Sequence, residues 1–256
     1  MDEKTFSLFQ VCDSAFPSGT FVHSFGLESA VAAGKILKVH EEPGNSTKRR
    51  RTSRGKAVDV EEGKMTTEEY FDLFLSQFAN LQLPMLRNLL KKLRIFSNGE
   101  TNSVEQIVGM LQSENCHISA QLANAVAIAA SKKQGMGFAK AFSEIFPNTR
   151  PILSSLIARG MRDDRYAPHQ ILVLGIFGHI QKYDIFELQF CALFCALRDL
   201  ANASLRLNLL GPFQAAKVLH QFRDSIIKLA REHGSFYSPI RINDEIKRGS
   251  ALEATK

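Results

Sequence analysis

The amino-acid sequence predicts an all-α protein, a single-domain bundle of roughly eight to ten helices over residues 1–256. Three observations carry this. Apolar residues recur at three- and four-residue spacing through most of the chain, Ser/Thr/Asp residues stand three positions ahead of Glu or Gln at several segment starts, and no strand-like alternation stands out. With 45% hydrophobic residues, the chain can enclose a sizeable core.

The first segment with a defined shape is Asp13–Glu28, DSAFPSGTFVHSFGLE. Pro17 restricts φ, and Gly19 and Gly26 permit positive φ, so the backbone is expected to turn here. His23, Ser24 and Glu28 then stand at the entrance to an alanine-rich helix running towards Gly34. Glu41–Lys64 follows, rich in Glu, Gly, Ser, Thr, Lys and Arg. It has too little apolar surface to offset its ordering entropy and reads as a long, disordered basic insert.

Thr66 with Glu69 forms a capping box ahead of Phe71, Phe74, Leu75, Phe78 and Leu81 at helical spacing. Pro84 is expected to interrupt or end that helix before a second, basic one, Met85–Phe96. Ser103 with Gln106 repeats the cap. Ser119–Lys132 has strong helix propensity, with Gly135 and Gly137 closing it. A short helix, Phe138–Phe146, is stopped by Pro147. Pro151 suits the first turn of the next helix, which Gly160 is expected to end. After the charged connector Met161–Tyr166, Pro168 stands at the start of a helix carrying His169 and His179.

Asp184 with Glu187 opens what reads as the longest helix, Ile185–Leu209, apolar on almost every face and therefore central. Arg198, Asn202 and Arg206 form one polar stripe on it, with Asp199 beside them. Such a stripe reaches solvent, closes an internal pair with Asp199, or meets another subunit. Pro212 starts the last long helix, ending near Gly234.

Composition narrows the function classes. Four cysteines (Cys12, Cys116, Cys191, Cys195) make no disulfide framework, and Cys191 and Cys195, four apart on an apolar helix, read as buried reduced thiols rather than metal ligands. Met1–Lys4 does not open a signal peptide, and the Ile171–Gly178 apolar run falls far short of the ~20 residues a spanning helix needs. A cytoplasmic protein without a membrane segment is expected. The net charge of +6 comes from one stretch: removing Lys48, Arg49, Arg50, Arg51, Arg54 and Lys56 from the 32 basic residues leaves them level with the 26 acidic ones. With no aromatic residue in that run, nucleic-acid binding is disfavoured. A helical nucleic-acid or nuclear adaptor acting through Lys48–Lys56 stays as the alternative.

No catalytic motif is present. G-x-x-x-x-G-K-[ST], H-E-x-x-H and G-x-S-x-G are all absent. His169 and His179 project about 80° apart around a helix and make no metal pair. Asp13, Ser14, His23 and Ser24 supply the residue types of a hydrolytic triad, but local clustering is not triad geometry. A small-molecule enzyme built on this turn is the weaker alternative.

The D-x-x-x-P-x-G-x-x-x-H-S-x-G-L-E spacing resembles the N-terminal signature of the urease accessory protein UreF family. Arg206, Leu207, Asn208, Leu209, Leu210, Gly211 and Pro212 resemble its R-L-x-x-L-G stretch. The resemblance implies an all-α fold and a non-enzymatic, homodimeric scaffold. Such a scaffold bridges UreD (UreH) and the GTPase UreG and promotes GTP-dependent nickel insertion into apo-urease, while the partners handle nickel and GTP and this chain holds no cofactor. It places partner contacts at Pro17, Gly19, His23, Ser24, Gly26, Leu27 and Glu28. Dimer or core packing falls to Arg206, Leu207, Leu210 and Gly211, together with the stripe residues Arg198 and Asn202. The chain departs from the family in its insert and in its tail, Ser238–Lys256, the part that helps bind UreD.

Overall fold

The computed structural model describes residues 2–17, 24–36, 64–97, 103–122 and 124–235. The insert expected at Glu41–Lys64 (Lys64 excepted) and the tail Ser238–Lys256 lie outside the described residues, as do Gly19 and His23. Among the described residues there are ten α-helices and no strand. In order they are α1 (Glu3–Cys12), α2 (Leu27–Ala32), α3 (Thr67–Ser97), α4 (Val104–Leu122), α5 (Ala125–Ile145), α6 (Arg150–Arg162), α7 (Gln170–Ile180), α8 (Ile185–Arg206), α9 (Pro212–Gln221) and α10 (Arg223–Ser235). An isolated parallel bridge pairs Ile36 with Met65 and brings the chain back beside α2.

The local start signals act as the sequence implies. Thr66 Oγ1 accepts from the Glu69 N–H at 3.1 Å while the Glu69 carboxylate accepts from the Thr66 N–H at 2.7 Å. Ser103 with Gln106, and Asp184 with Glu187, close the same reciprocal box. Each cap contributes about 1 kcal/mol by satisfying donors that a helix start leaves open. Pro147 stops α5, and Pro151 lies in the first turn of α6, where no N–H is needed.

Five expected boundaries are corrected. Pro84 lies inside α3, which runs unbroken for 31 residues and is the longest described helix. A proline in a helix interior costs about 3 kcal/mol. Here buried Leu75, Ala79, Leu83, Leu86, Leu89, Leu90 and Leu93 form one apolar stripe on both sides of it, and this stripe packs on α7 and α8. A break at Pro84 would split that stripe. Next, the helix expected from Ser119 is divided at Asn124, whose Oδ1 accepts from the Val126 and Ala127 N–H groups and caps α5.

Gly135 does not close α5. A Cβ there would stand 1.9 Å from the Pro168 carbonyl oxygen, so this glycine lets α5 pass against the backbone leading into α7, and α5 continues to Ile145. Gly160 likewise sits inside α6, against Ala167. Finally, the last long helix bends once: α9 gives way to α10 at Phe222, whose ring lies 6.1 Å from that of Phe71.

The centre of the bundle is α7. Every residue from Ile171 to Gly178 is buried, with α3, α5 and α8 packed around it. Phe142 stacks on Phe177 at 4.3 Å, and Phe16 reaches the same cluster from the segment after α1. α8 shares this core and carries α1, α2, α9 and α10 on its other sides. No described helix is long and apolar enough to cross a membrane.

Candidate functional site

The described part of the motif segment forms a strained, anchored turn. Phe25 has φ +50° and Gly26 has φ +83°, two successive left-handed residues, the first of them bulky. Tyr70 on α3 holds them: its hydroxyl donates to the Phe25 carbonyl at 2.8 Å, and the Phe25 ring packs 4.9 Å from Phe74. A Cβ on Gly26 would come within 3.1 Å of the Tyr70 hydroxyl, so conformation and space both call for glycine. α2 then starts with Leu27, fully buried, and Glu28, exposed in the first turn, where a carboxylate suits the helix dipole. The Ser24 Oγ accepts weakly from the Glu28 N–H at 3.4 Å. Gly34 (φ +66°) ends α2, with Lys35 N–H bonding back to Ala30 O.

Ser24, Gly26 and Glu28 line the rim of a cavity of about 830 Å³, mostly apolar, between the turn, α3, α5, α7 and α8. Phe74, Phe78 and Leu81 form one wall, Val126 and Ala130 another. Pro17 is exposed at the other end of the segment. Asp13 and Ser14 are also exposed, and the Asp13 carboxylate is engaged by the Ala15 N–H at 2.8 Å in a local turn. That is a turn-forming role for Asp13.

The second motif is a corner between two helices. Leu207 caps α8 and Asn208 takes φ +53°, with Leu209 N–H bonding to Ser204 O and Asn208 N–H to Leu205 O. This is a Schellman closure, with asparagine in the place glycine more often takes. Leu209 and Leu210 enter the core, while the Gly211 N–H donates to the Gln214 side chain and α9 begins at Pro212. Arg206 is exposed and Leu207 half-buried.

The polar stripe on α8 is divided. Asn202 is half-buried, but Arg198 and Asp199 are only 6% and 5% exposed. Arg198 Nε and Nη2 donate to Asp199 Oδ1 at 3.0 and 2.7 Å. Its Nη1 donates to the carbonyls of Cys12 and Asp13 at 2.9 and 2.8 Å, and to Val11 O at 3.4 Å. Arg198 therefore closes the C-terminal turn of α1, where helix carbonyls lack partners, and ties α1 to α8. The sequence carries no signal for this contact, because the two ends are about 185 residues apart.

His169 is a buried scaffold residue. Its Nε2 lies 2.7 Å from Ser119 Oγ, its Nδ1 3.0 Å from Ser131 Oγ, and its backbone N–H donates to Asn115 Oδ1 at 2.9 Å. Burial, with the Lys132 charge nearby, holds its pKa down at about 4. Cys191 and Cys195 are buried on one face of α8, as their spacing implies. A third thiol, from Cys12, joins them, a neighbour that sequence distance concealed.

Comparison with known proteins then places the chain. The UreF family model matches residues 63–223, more than half of the sequence. Urease accessory protein F of Arabidopsis thaliana is 26% identical over 218 residues, covering 84% of this chain and 73% of the relative. Urease accessory protein F of Oryza sativa subsp. indica is 23% identical over 229 residues, covering 88% and 72%. A short stretch of 25 residues, 10% of this chain and 11% of the relative, is 72% identical to urease accessory protein UreF of Bacillus sp. strain TB-90. The chain belongs to the UreF family.

Proposed function

We propose that this urease accessory protein is a non-enzymatic maturation scaffold. In this reading it works as a cytoplasmic homodimer that bridges UreD and the GTPase UreG and promotes GTP-dependent nickel insertion into apo-urease. The partners supply the nucleotide site and handle the nickel. The observation that carries the reading is the turn at Ser24–Glu28. Its left-handed backbone is pinned by Tyr70, so that Ser24, Gly26 and Glu28 stand at a surface rim on a rigid support. A preorganised, partly exposed turn loses little entropy on docking. Pro17, Gly19 and His23 are assigned to partner contact as well in this reading. Leu27 supports it from below, and Arg198, Asn202, Arg206, Leu207, Leu210 and Gly211 serve core or dimer packing.

Size-exclusion light scattering combined with pull-down against the cognate UreD and UreG tests this. A wild-type dimer that assembles with both partners, and a Glu28→Ala variant that stays folded but loses one of them, is the expected result. Wild-type protein that captures neither partner overturns the scaffold reading. Steeply salt-dependent binding to nucleic acid, abolished by deleting residues 48–56, would put the basic run in its place.

A further inference from the structure

We propose that Cys12, Cys191 and Cys195 form a binding site for a thiophilic closed-shell cation, Zn(II) or Cu(I), at the seam where α1 docks on α8. The three Sγ atoms all lie within 4.8 Å of one another, with Cys12 and Cys191 3.6 Å apart. Three sulfurs around one ion at about 2.3 Å stand about 3.8–4.0 Å from each other, so the thiols are already near ligand spacing. A disulfide needs about 2.05 Å, which these atoms do not approach.

The site is held by elements that do not depend on an ion. Cys191 and Cys195 are one helical turn apart on α8 and project from the same face. Cys12 is the last residue of α1, and Arg198, one turn beyond Cys195, grips the carbonyls of Val11, Cys12 and Asp13. The guanidinium thus sets the third ligand over the other two.

Access and ligand chemistry agree with this choice. Cys195 lines the apolar cavity beside the turn, and Cys12 is only partly covered. No histidine or carboxylate joins the group among the described residues. An all-sulfur donor set selects Zn(II) or Cu(I) over oxygen-seeking cations. Three ligands leave one position of a zinc tetrahedron to water, whereas Cu(I) needs no fourth. Each thiol that coordinates gives its proton to solvent, so up to three protons are released per ion and no electron moves. The proposal does not rest on the scaffold reading, because its test contains no urease partner.

The test is anaerobic titration of the reduced full-length chain with Co(II) as spectroscopic stand-in for Zn(II), then with Zn(II), and with Cu(I) against a competing chelator. The expected result is one ion per chain and a thiolate-to-Co(II) charge-transfer band that Zn(II) displaces. A Cu(I) complex that outlasts the chelator while Co(II) gives no band assigns the site to the monovalent ion. Cys12→Ser should weaken binding by about a hundredfold or more, since disturbing ligand supports alone costs about 10–100-fold. Cys116→Ser, at an exposed thiol elsewhere, should bind as the wild type does. Cys12 is partly exposed, so its variant tests the site even if Cys191→Ser fails to fold. No Co(II) thiolate band together with Cu(I) lost to the chelator, or binding unchanged in Cys12→Ser, would each overturn the proposal.

Discussion

Among the charged side chains of the described residues, Arg198 is the one whose removal should cost the most stability. In Arg198→Ala, Asp199 keeps its charge at 5% exposure without the guanidinium beside it, and three carbonyls at the end of α1 lose a donor. Breaking a buried pair from one side costs about 3–5 kcal/mol because the remaining charge stays desolvated. That is a large part of the roughly 5–15 kcal/mol that holds a domain folded. Urea denaturation followed by circular dichroism reads the loss as a lower midpoint at unchanged slope. The double variant Arg198→Met, Asp199→Asn removes both charges and should recover all but about 1–2 kcal/mol, the remainder being the α1 carbonyls. Protease should then cut first at α1, which would have lost its tie to α8. A loss of about 1 kcal/mol or less in Arg198→Ala, as at a solvated surface pair, would refute the argument.

Three further outcomes follow from the same structure. His169 is held neutral with a pKa of about 4, below the usual 6.5, so only the unfolded chain takes up its proton between these values. Its contribution is complete above about pH 6.5 and is lost as pH falls towards 4, by up to about 3 kcal/mol in all. His169→Gln should therefore flatten the stability–pH profile across that window, and parallel profiles would contradict this. Gly135→Ala drives a Cβ to 1.9 Å from Pro168 O and should cost about 3 kcal/mol or more in chemical denaturation. A gain of about 1 kcal/mol, the helix-propensity advantage of alanine, would show that α5 and the α7 entrance do not touch there. Tyr70→Phe removes the hydroxyl that holds Phe25 and should cost about 1 kcal/mol. It should also speed amide exchange at the start of α2, while equal exchange would show that the turn holds itself.

The features legible along the chain alone are those whose partners lie within a few residues of one another. The boxes at Thr66–Glu69, Ser103–Gln106 and Asp184–Glu187 are legible because both partners of each hydrogen bond sit three positions apart. The turn into α2 is legible for the same reason, since Gly26 must accept positive φ wherever the helix packs. The motif pairs at Asp13–Glu28 and Arg206–Pro212 also pointed to the family, which the comparisons established. Tertiary structure decided the rest. Pro84 and Gly135 carry strong local signals to stop a helix, yet each lies within one, because the apolar stripe of α3 and the close passage of α5 by Pro168 outweigh a local preference of about 1–3 kcal/mol. Arg198 and Arg206 stand on one side of α8, about 80° apart on a helical wheel; Arg198 meets the end of α1 and is buried, while Arg206 is exposed. Cys12 stands 179 positions from Cys191. Only the docking of α1 onto α8 makes three scattered thiols a cluster, because sequence spacing reports neighbours along a chain while burial and coordination depend on neighbours in space.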